Sequence, residues 1–249
     1  MGMTQIVPSS YHQTPRLYVE EPLNGAPFAM SEHHSHYLRH VLRLQDQALV
    51  RVFHVKDGEW VGRLETIGKK GVVFHPLELL RAVPTIDRRI HLCFSPLKKD
   101  RMDFLIEKSV ELGVSDLHPL LMRRSVVRDI KADRLRAQII EASEQSERLN
   151  LAQLHDLVSL EKFMAGQVGG QQDSVFYAAL ERHDCASLKD VVVGEGAVTD
   201  VYFLIGPEGG FEDSEVLLLQ NSSFVRAVSL GERILRAETA ALFGLSHLV

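Results

Sequence analysis

The sequence predicts an α/β protein: a mainly parallel sheet covered by helices on both faces, behind a small β domain. Three observations lead there. From about residue 90, strand-like apolar runs alternate with amphipathic helical segments, which is the rhythm of β-α-β units. Residues 16–78 hold short β segments set apart by turn signals such as KDGE (56–59) and GKKG (68–71). Around residues 80–88, RAVPTIDRR keeps neither pattern and reads as a linker. The expected domains are therefore 1–82, with 1–15 a loose N-terminal extension, and 83–249.

In the first domain the β segments are RLYV (16–19), ALVRVFH (48–54), EWVGRLETI (59–67) and GVVFHPLEL (71–79), spaced as hairpins of a small barrel or sandwich. One helix interrupts them at 32–44, with Tyr37, Leu38, Val41, Leu42 and Leu44 as its apolar positions. In the second domain IHLCFSPL (90–97) is a strand, and 100–113 is an amphipathic helix ending at the C-cap glycine Gly113. SDLHPLLM (115–122) is the next strand, followed by a long helix at 132–149. SVFYAAL (174–180), VYFLIGP (201–207) and VRAVSLG (225–231) are further strands, each leading into a helix-compatible segment, the last at 237–248. Strands this apolar are buried on both faces, hence the parallel sheet.

Bulk composition excludes several classes. At 45% hydrophobic and 24% charged over 249 residues, the chain is ordinary for a globular protein. No apolar run approaches the roughly 18–20 residues that span a bilayer, and no basic segment followed by an apolar core opens the chain. The expectation is a cytoplasmic protein without a membrane partner, its two cysteines, Cys93 and Cys185, reduced. HHSH (33–36) lacks partners at ligand spacing, so no metal is expected. The net charge of −5 hides an asymmetry: residues 86–136 carry 12 Lys and Arg against 8 Asp and Glu, residues 137–249 carry 7 against 17. A cationic surface suited to nucleic acid is compatible with the first of these.

Four stretches carry chemistry. LIGPEGG (204–210) ends a strand in a loop almost without side chains, where α/β sheets bind ligands. It lacks the spacings of phosphate cradles, and Glu208, Glu212, Asp213 and Glu215 would repel a phosphate; a neutral or cationic ligand fits better. VSLGERILRAETAAL (228–242) repeats the design, with Ile234 and Leu235 as an apolar wall for a flat ring and Arg236 beside a helix start to hold an oxygen. EASEQSERL puts Glu141, Glu144, Gln145 and Arg148 on one helical face. Lys98, Lys99 and Arg101 after one strand, and Arg123, Arg124 and Arg128 after the next, lie along one sheet edge as a potential phosphate-binding patch.

LIGPEGGF, LGERILRAETAAL, EKSVELGV (107–114) and EASEQSER (141–148), in a chain that opens with a small β domain, closely resemble the RsmE family, S-adenosylmethionine (SAM)-dependent methyltransferases that act on N3 of one uridine of 16S rRNA in the small ribosomal subunit. The resemblance runs from about Arg16 to the C-terminus; Ala152 stands where the family often has a proline. It implies a PUA-like RNA-binding β-barrel, a SPOUT domain whose parallel sheet carries a C-terminal trefoil knot, and a homodimer. It further implies that Leu180, Ile205, Gly206, Pro207, Glu208, Gly209, Gly210, Leu230, Gly231, Ile234 and Leu235 bind SAM. SAM is a sulfonium cation without phosphate, which suits an acidic loop, and S-adenosylhomocysteine is its product.

N3 of uridine must lose a proton to become a nucleophile. Arg236, helped by Arg148, is expected to stabilise the uridine anion, with Glu208 and Glu144 as weaker candidates for a base. Arg16, Arg43, Lys98, Lys99, Arg101, Arg123 and Arg124 are the expected RNA contacts. The rival expectations are a methyltransferase of the same superfamily for a ribose 2′-OH or another base, and a non-catalytic ribosome-assembly factor with a vestigial cleft.

Overall fold

The computed structural model describes residues 7–67, 71–167, 173–180, 183–192 and 198–249; the start of the expected N-terminal extension and most of the GKKG turn lie outside them. Two compact units result, residues 1–85 with 143–150, and residues 86–142 with 151–249. The first contains β1 (Arg16–Tyr18), β2 (Phe28–Ala29), α1 (Glu32–His36), β3 (Leu49–His54), β4 (Gly58–Ile67) and β5 (Gly71–Arg81), hydrogen-bonded in the order β1-β3-β4-β5-β2. β3, β4 and β5 are an antiparallel meander, and β1 joins β3 in parallel. Alternate residues of β3 (Val50, Val52) meet Leu64, Val72, Phe74 and Leu38 in a core. The helix expected over 32–44 is α-helical only to His36; a π-helical turn at Tyr37–Val41 follows, and Arg43 at φ 54° ends it.

The second unit follows the β-α rhythm: β6 (Arg89–Phe94), α2 (Lys99–Glu111), β7 (Asp116–Leu121), α3 (Ala132–Gln145), β8 (Gln153–Leu154), β9 (Val158–Ser159), α4 (Leu160–Gln167), β10 (Ser174–Ala179), α5 (Leu188–Val192), β11 (Asp200–Leu204), α6 (Asp213–Asn221), β12 (Val225–Val228) and α7 (Ala237–Leu248). The last three residues of α3 are counted with the first unit. The strand order is β12-β10-β11-β6-β7-β8, every pair parallel. Period-two alternation divides the side chains between two cores. Leu92, Phe94, Tyr177 and Phe203 face α2, α3 and α7, whereas Cys93, Phe176, Tyr202 and Leu204 face α4 and α6. α7 approaches the sheet closely because Gly244 has no side chain: a Cβ there would stand 2.1 Å from the Phe203 ring. No helix of the described residues is long and apolar enough to cross a membrane. Both cysteines are free, and burial pushes the Cys93 thiol well up.

The first unit also buries charge. Glu59, fully buried, accepts hydrogen bonds from Arg16 Nε (3.1 Å), Arg51 Nη1 (3.2 Å) and Arg81 Nε (2.7 Å). Arg16 further donates to the carbonyls of Ser143 (2.8 Å), Glu144 (3.3 Å) and Arg148 (2.7 Å), and stands 3.8 Å over the Phe53 ring. Arg81 donates to the Glu147 carbonyl (2.8 Å), and Arg51 to its carboxylate (2.7 Å). A helix leaves its last carbonyls without partners, and here Arg16 supplies one for Ser143 and Glu144. This shortens the helix expected over 132–149: α3 stops at Gln145, and Glu147 turns left-handed at φ 57°. It also removes Arg16 from the expected RNA contacts, since its side chain is only 3% exposed and fully engaged. Burial pulls its pKa down to about 10, so it stays charged at neutral pH.

Candidate active site

The carboxyl ends of β10, β11 and β12 open onto one cavity of about 710 Å³, walled by residues 179–180, 205–211 and 229–237. The β11 ladder stops at Leu204, and two residues after Ile205 comes Pro207, which has no N–H to donate. The chain then turns, Gly210 N–H reaching the Pro207 carbonyl at 2.9 Å. Gly210 (φ 70°) and Gly231 (φ 110°) hold backbone conformations that favour glycine, and no atom lies within 4 Å of where either Cβ would be. Leu180, Ile205, Gly206, Pro207, Glu208, Gly209, Gly210, Leu230, Gly231, Ile234 and Leu235 are thus brought together around one space.

The acidic residues of the loop divide by role. Glu212 and Glu215 form a reciprocal capping box at the start of α6, and the buried Glu215 also accepts the Arg123 N–H at 2.8 Å. Glu208 and Asp213 line the cavity. Arg236 lines it as the N-cap residue of α7, and its guanidinium forms no ion pair with any described residue. In the first turn of α7, Glu238 is buried with Oε2 unpartnered and Oε1 3.8 Å from Arg101.

The basic set after β6 and β7 does not stay together. Arg101 turns into the cavity, 3.5 Å from Glu208, and Arg124 enters it by donating to the Gly209 carbonyl at 3.2 Å. Arg123 pairs with Glu161 at 3.0 Å. Lys98, Lys99 and Arg128 remain exposed, as does Arg43 in the first unit. Arg148 is not on a helical face with Glu141 and Glu144, because α3 has already ended; its Nε donates to Asn150 at 2.8 Å, and burial lowers its pKa to about 10. Glu144 accepts the Tyr18 N–H at 2.8 Å. His183, Phe211 and Arg233 line the cavity without having been expected there. No motif surrounds His183, and the others lay in plain view beside the glycine loops.

At the amino ends of β6, β7 and β11 lies a second cluster, of imidazoles and carboxylates. His91 Nε2 meets Asp200 at 2.8 Å and its Nδ1 meets His118 Nε2 at 3.2 Å. Asp116 is shared by Arg89 (2.6 Å) and His155 (2.8 Å). Ligand atoms of His91, Asp116 and His118 lie within 4.8 Å of one another, as metal ligands would, yet the ones just named already hydrogen-bond within the cluster. Burial lowers the His91 pKa and favours a neutral ring, which then donates from Nε2 to Asp200 and accepts at Nδ1 from His118. Burial, with His155 and His91 adjacent, lowers the His118 pKa to about 3.

A family model described as an RNA methyltransferase domain matches residues 84–249, and one described as an RNA methyltransferase PUA domain matches residues 31–77. The chain is 30% identical to ribosomal RNA small subunit methyltransferase E of Rickettsia conorii over 235 residues, 93% of each chain. It is 25% identical to the protein of the same name from Bacillus subtilis, covering 93% of this chain and 94% of that one. Among solved structures, a methyltransferase of Legionella pneumophila in complex with bound SAM superposes with a TM-score of 0.82 at 30% identity, covering 95% of this chain and 97% of that one. Ribosomal RNA small subunit methyltransferase E of Neisseria gonorrhoeae, bound to S-adenosyl methionine, superposes with a TM-score of 0.79 at 27% identity, covering 94% of this chain and 96% of that one.

Proposed function

The chain belongs to the ribosomal RNA small subunit methyltransferase E family, and we propose that it transfers a methyl group from SAM to N3 of one uridine of 16S rRNA in the small ribosomal subunit. The observation that carries this is the convergence of three strand-end segments on one cavity whose floor is glycine backbone. Gly206 and Gly209 let the loop pack tightly beside the cavity: a Cβ would meet the Phe211 ring at 3.0 Å in one case and the Arg124 side chain at 3.2 Å in the other. Backbone groups of residues 205–210 and 230–235 would hold the adenosine, with Leu180, Ile234 and Leu235 as apolar walls. SAM, when bound, supplies an electrophilic methyl group.

The remaining chemistry falls to side chains. Arg236, without a competing ion pair, stabilises negative charge on the uridine oxygens as N3 loses its proton. Glu208 is the remaining candidate acceptor, held by Arg101; Glu144 is committed to the Tyr18 backbone. Arg148, engaged by Asn150, is left out of this reading. Lys98, Lys99, Arg123 and, from the first unit, Arg43 contact the RNA. The reading extends to a PUA-like barrel, a SPOUT trefoil knot and a homodimer, expected from the family resemblance, and to a cytoplasmic location, expected from the two reduced cysteines.

The test is methyl transfer from labelled SAM to 30S subunits lacking the modification, followed by nucleoside mass spectrometry. One N3-methyluridine per particle is the expected product. A different methylated nucleoside would move the target, and SAM binding without transfer would point to an assembly factor. Arg236→Ala should lose at least about 100-fold in kcat, the scale of removing one charge-stabilising donor, with SAM affinity intact.

A further inference from the structure

A second concavity, of about 300 Å³, opens at the carboxyl ends of β6 and β7. Its floor is apolar: Leu97, Met102 and Leu135, all buried. Lys99 and Lys131, both exposed, stand at its mouth, and the Arg134 guanidinium lines it, held by Asp103 at 2.5 Å. Asp129, also at the mouth, has one oxygen engaged by the Ile130 N–H at 2.8 Å. The volume sits at the low end of the roughly 300–1,000 Å³ of ligand pockets, enough for one nucleoside.

Its position is as telling as its chemistry. β6 lies directly beside β11 in the sheet, so neighbouring strand ends are about 5 Å apart. The first turn of α2 serves both spaces: Lys99 reaches this concavity and Arg101, two residues on, reaches the large one. A strand of RNA whose target base enters the large cavity would therefore carry an adjoining nucleotide over the small one. Unpaired bases are held by apolar or guanidinium faces, with lysines on the phosphates.

We propose that this concavity receives a nucleotide flanking the methylated uridine, the base lying on Leu97, Met102 and Arg134 and its phosphate between Lys99 and Lys131. The inference rests on the RNA methyltransferase reading above and adds a place where the enzyme grips the substrate strand beside the target.

The experiment replaces Lys131 with the photocrosslinker p-benzoylphenylalanine in the full chain, irradiates it with 30S subunits lacking the modification, and maps crosslinks by reverse transcription. The expected crosslink falls within about three nucleotides of the nucleoside that wild-type enzyme methylates in the same particles. In parallel, Lys131→Ala should raise KM for 30S subunits about threefold, with kcat and SAM affinity within about twofold. The slope of log K against log salt should become shallower by about 0.7, the amount for one single-strand phosphate that a lysine no longer neutralises. Crosslinks only to remote nucleotides or to a second copy of this chain, or an unchanged KM, would overturn the proposal while methylation by the wild type continues. If the wild type methylates nothing in the particle, the functional reading fails first and the pocket assignment with it.

Discussion

Arg16 is the residue whose role the fold changes most, and its replacement by methionine separates two physical accounts. Arg16→Met keeps the apolar stem and the packing on Phe53 but deletes the guanidinium. Glu59 keeps Arg51 and Arg81, so the carboxylate is not stranded. What disappears is one charged hydrogen bond, about 1.5–3 kcal/mol, and the partner of three carbonyls, two at the end of α3 and one just beyond it. Some of those carbonyls can turn to water, and the methionine adds apolar burial. The net cost is about 3 kcal/mol, the low end of breaking a buried ion pair. Trp60, the only tryptophan, lies on β4 of the same unit, so its fluorescence reports unfolding there. With m about 1.5 kcal/mol/M in urea, the midpoint should fall by about 2 M. Binding to 30S subunits, measured at a temperature where both proteins are folded, should stay within about twofold. A loss of stability below about 1 kcal/mol, together with a tenfold loss of RNA affinity, would refute the structural account and restore Arg16 as an RNA contact.

Three further outcomes are expected. Because the folded-state pKa of His118, about 3, lies below its ordinary value of 6.5, the unfolded chain binds more protons in that window. Stability of the second unit should therefore fall as pH drops from 6.5, by about 1.4 kcal/mol per pH unit at the limiting slope for this one group; calorimetry of His118→Asn should show a slope shallower by about one proton, and an unaltered slope would contradict the assignment. Gly244→Ala forces a methyl group into the Phe203 ring and should cost about 2 kcal/mol by overpacking, despite alanine's better helix propensity; equal thermal stability of mutant and wild type would show that α7 shifts freely. Gly231→Ala meets open space but strains the backbone at φ 110°, so titration calorimetry should find SAM affinity about tenfold weaker with little change in melting temperature.

Much of the second unit was legible in the chain itself. The apolar runs at 90–97, 174–180 and 201–207 announce strands buried on both sides, and the glycines of 206–210 and 231 mark where those strands give way to bare backbone. Local chemistry suffices there, because side-chain alternation and backbone freedom are properties of the segment alone. The carboxylates at 212 and 215 show the limit of such reading. Their charge suggested the ligand, whereas capping geometry assigns them to the start of α6.

What only the tertiary structure decided is which charged side chains are free. Arg16, Arg101 and Arg124 are alike in sequence, each a cation at or near a strand end. The fold buries the first against Glu59 and helix-end carbonyls, aims the second at Glu208 and Glu238, and ties the third to the Gly209 carbonyl. Their partners come from 43 or more residues away along the chain. The chain at the end of α3 was settled in the same way, Arg16 taking the carbonyls of Ser143 and Glu144 and Arg81 that of Glu147 just beyond the helix. Burial and hydrogen bonding over such separations depend on how strands pair and helices pack, and no local pattern in the sequence encodes them.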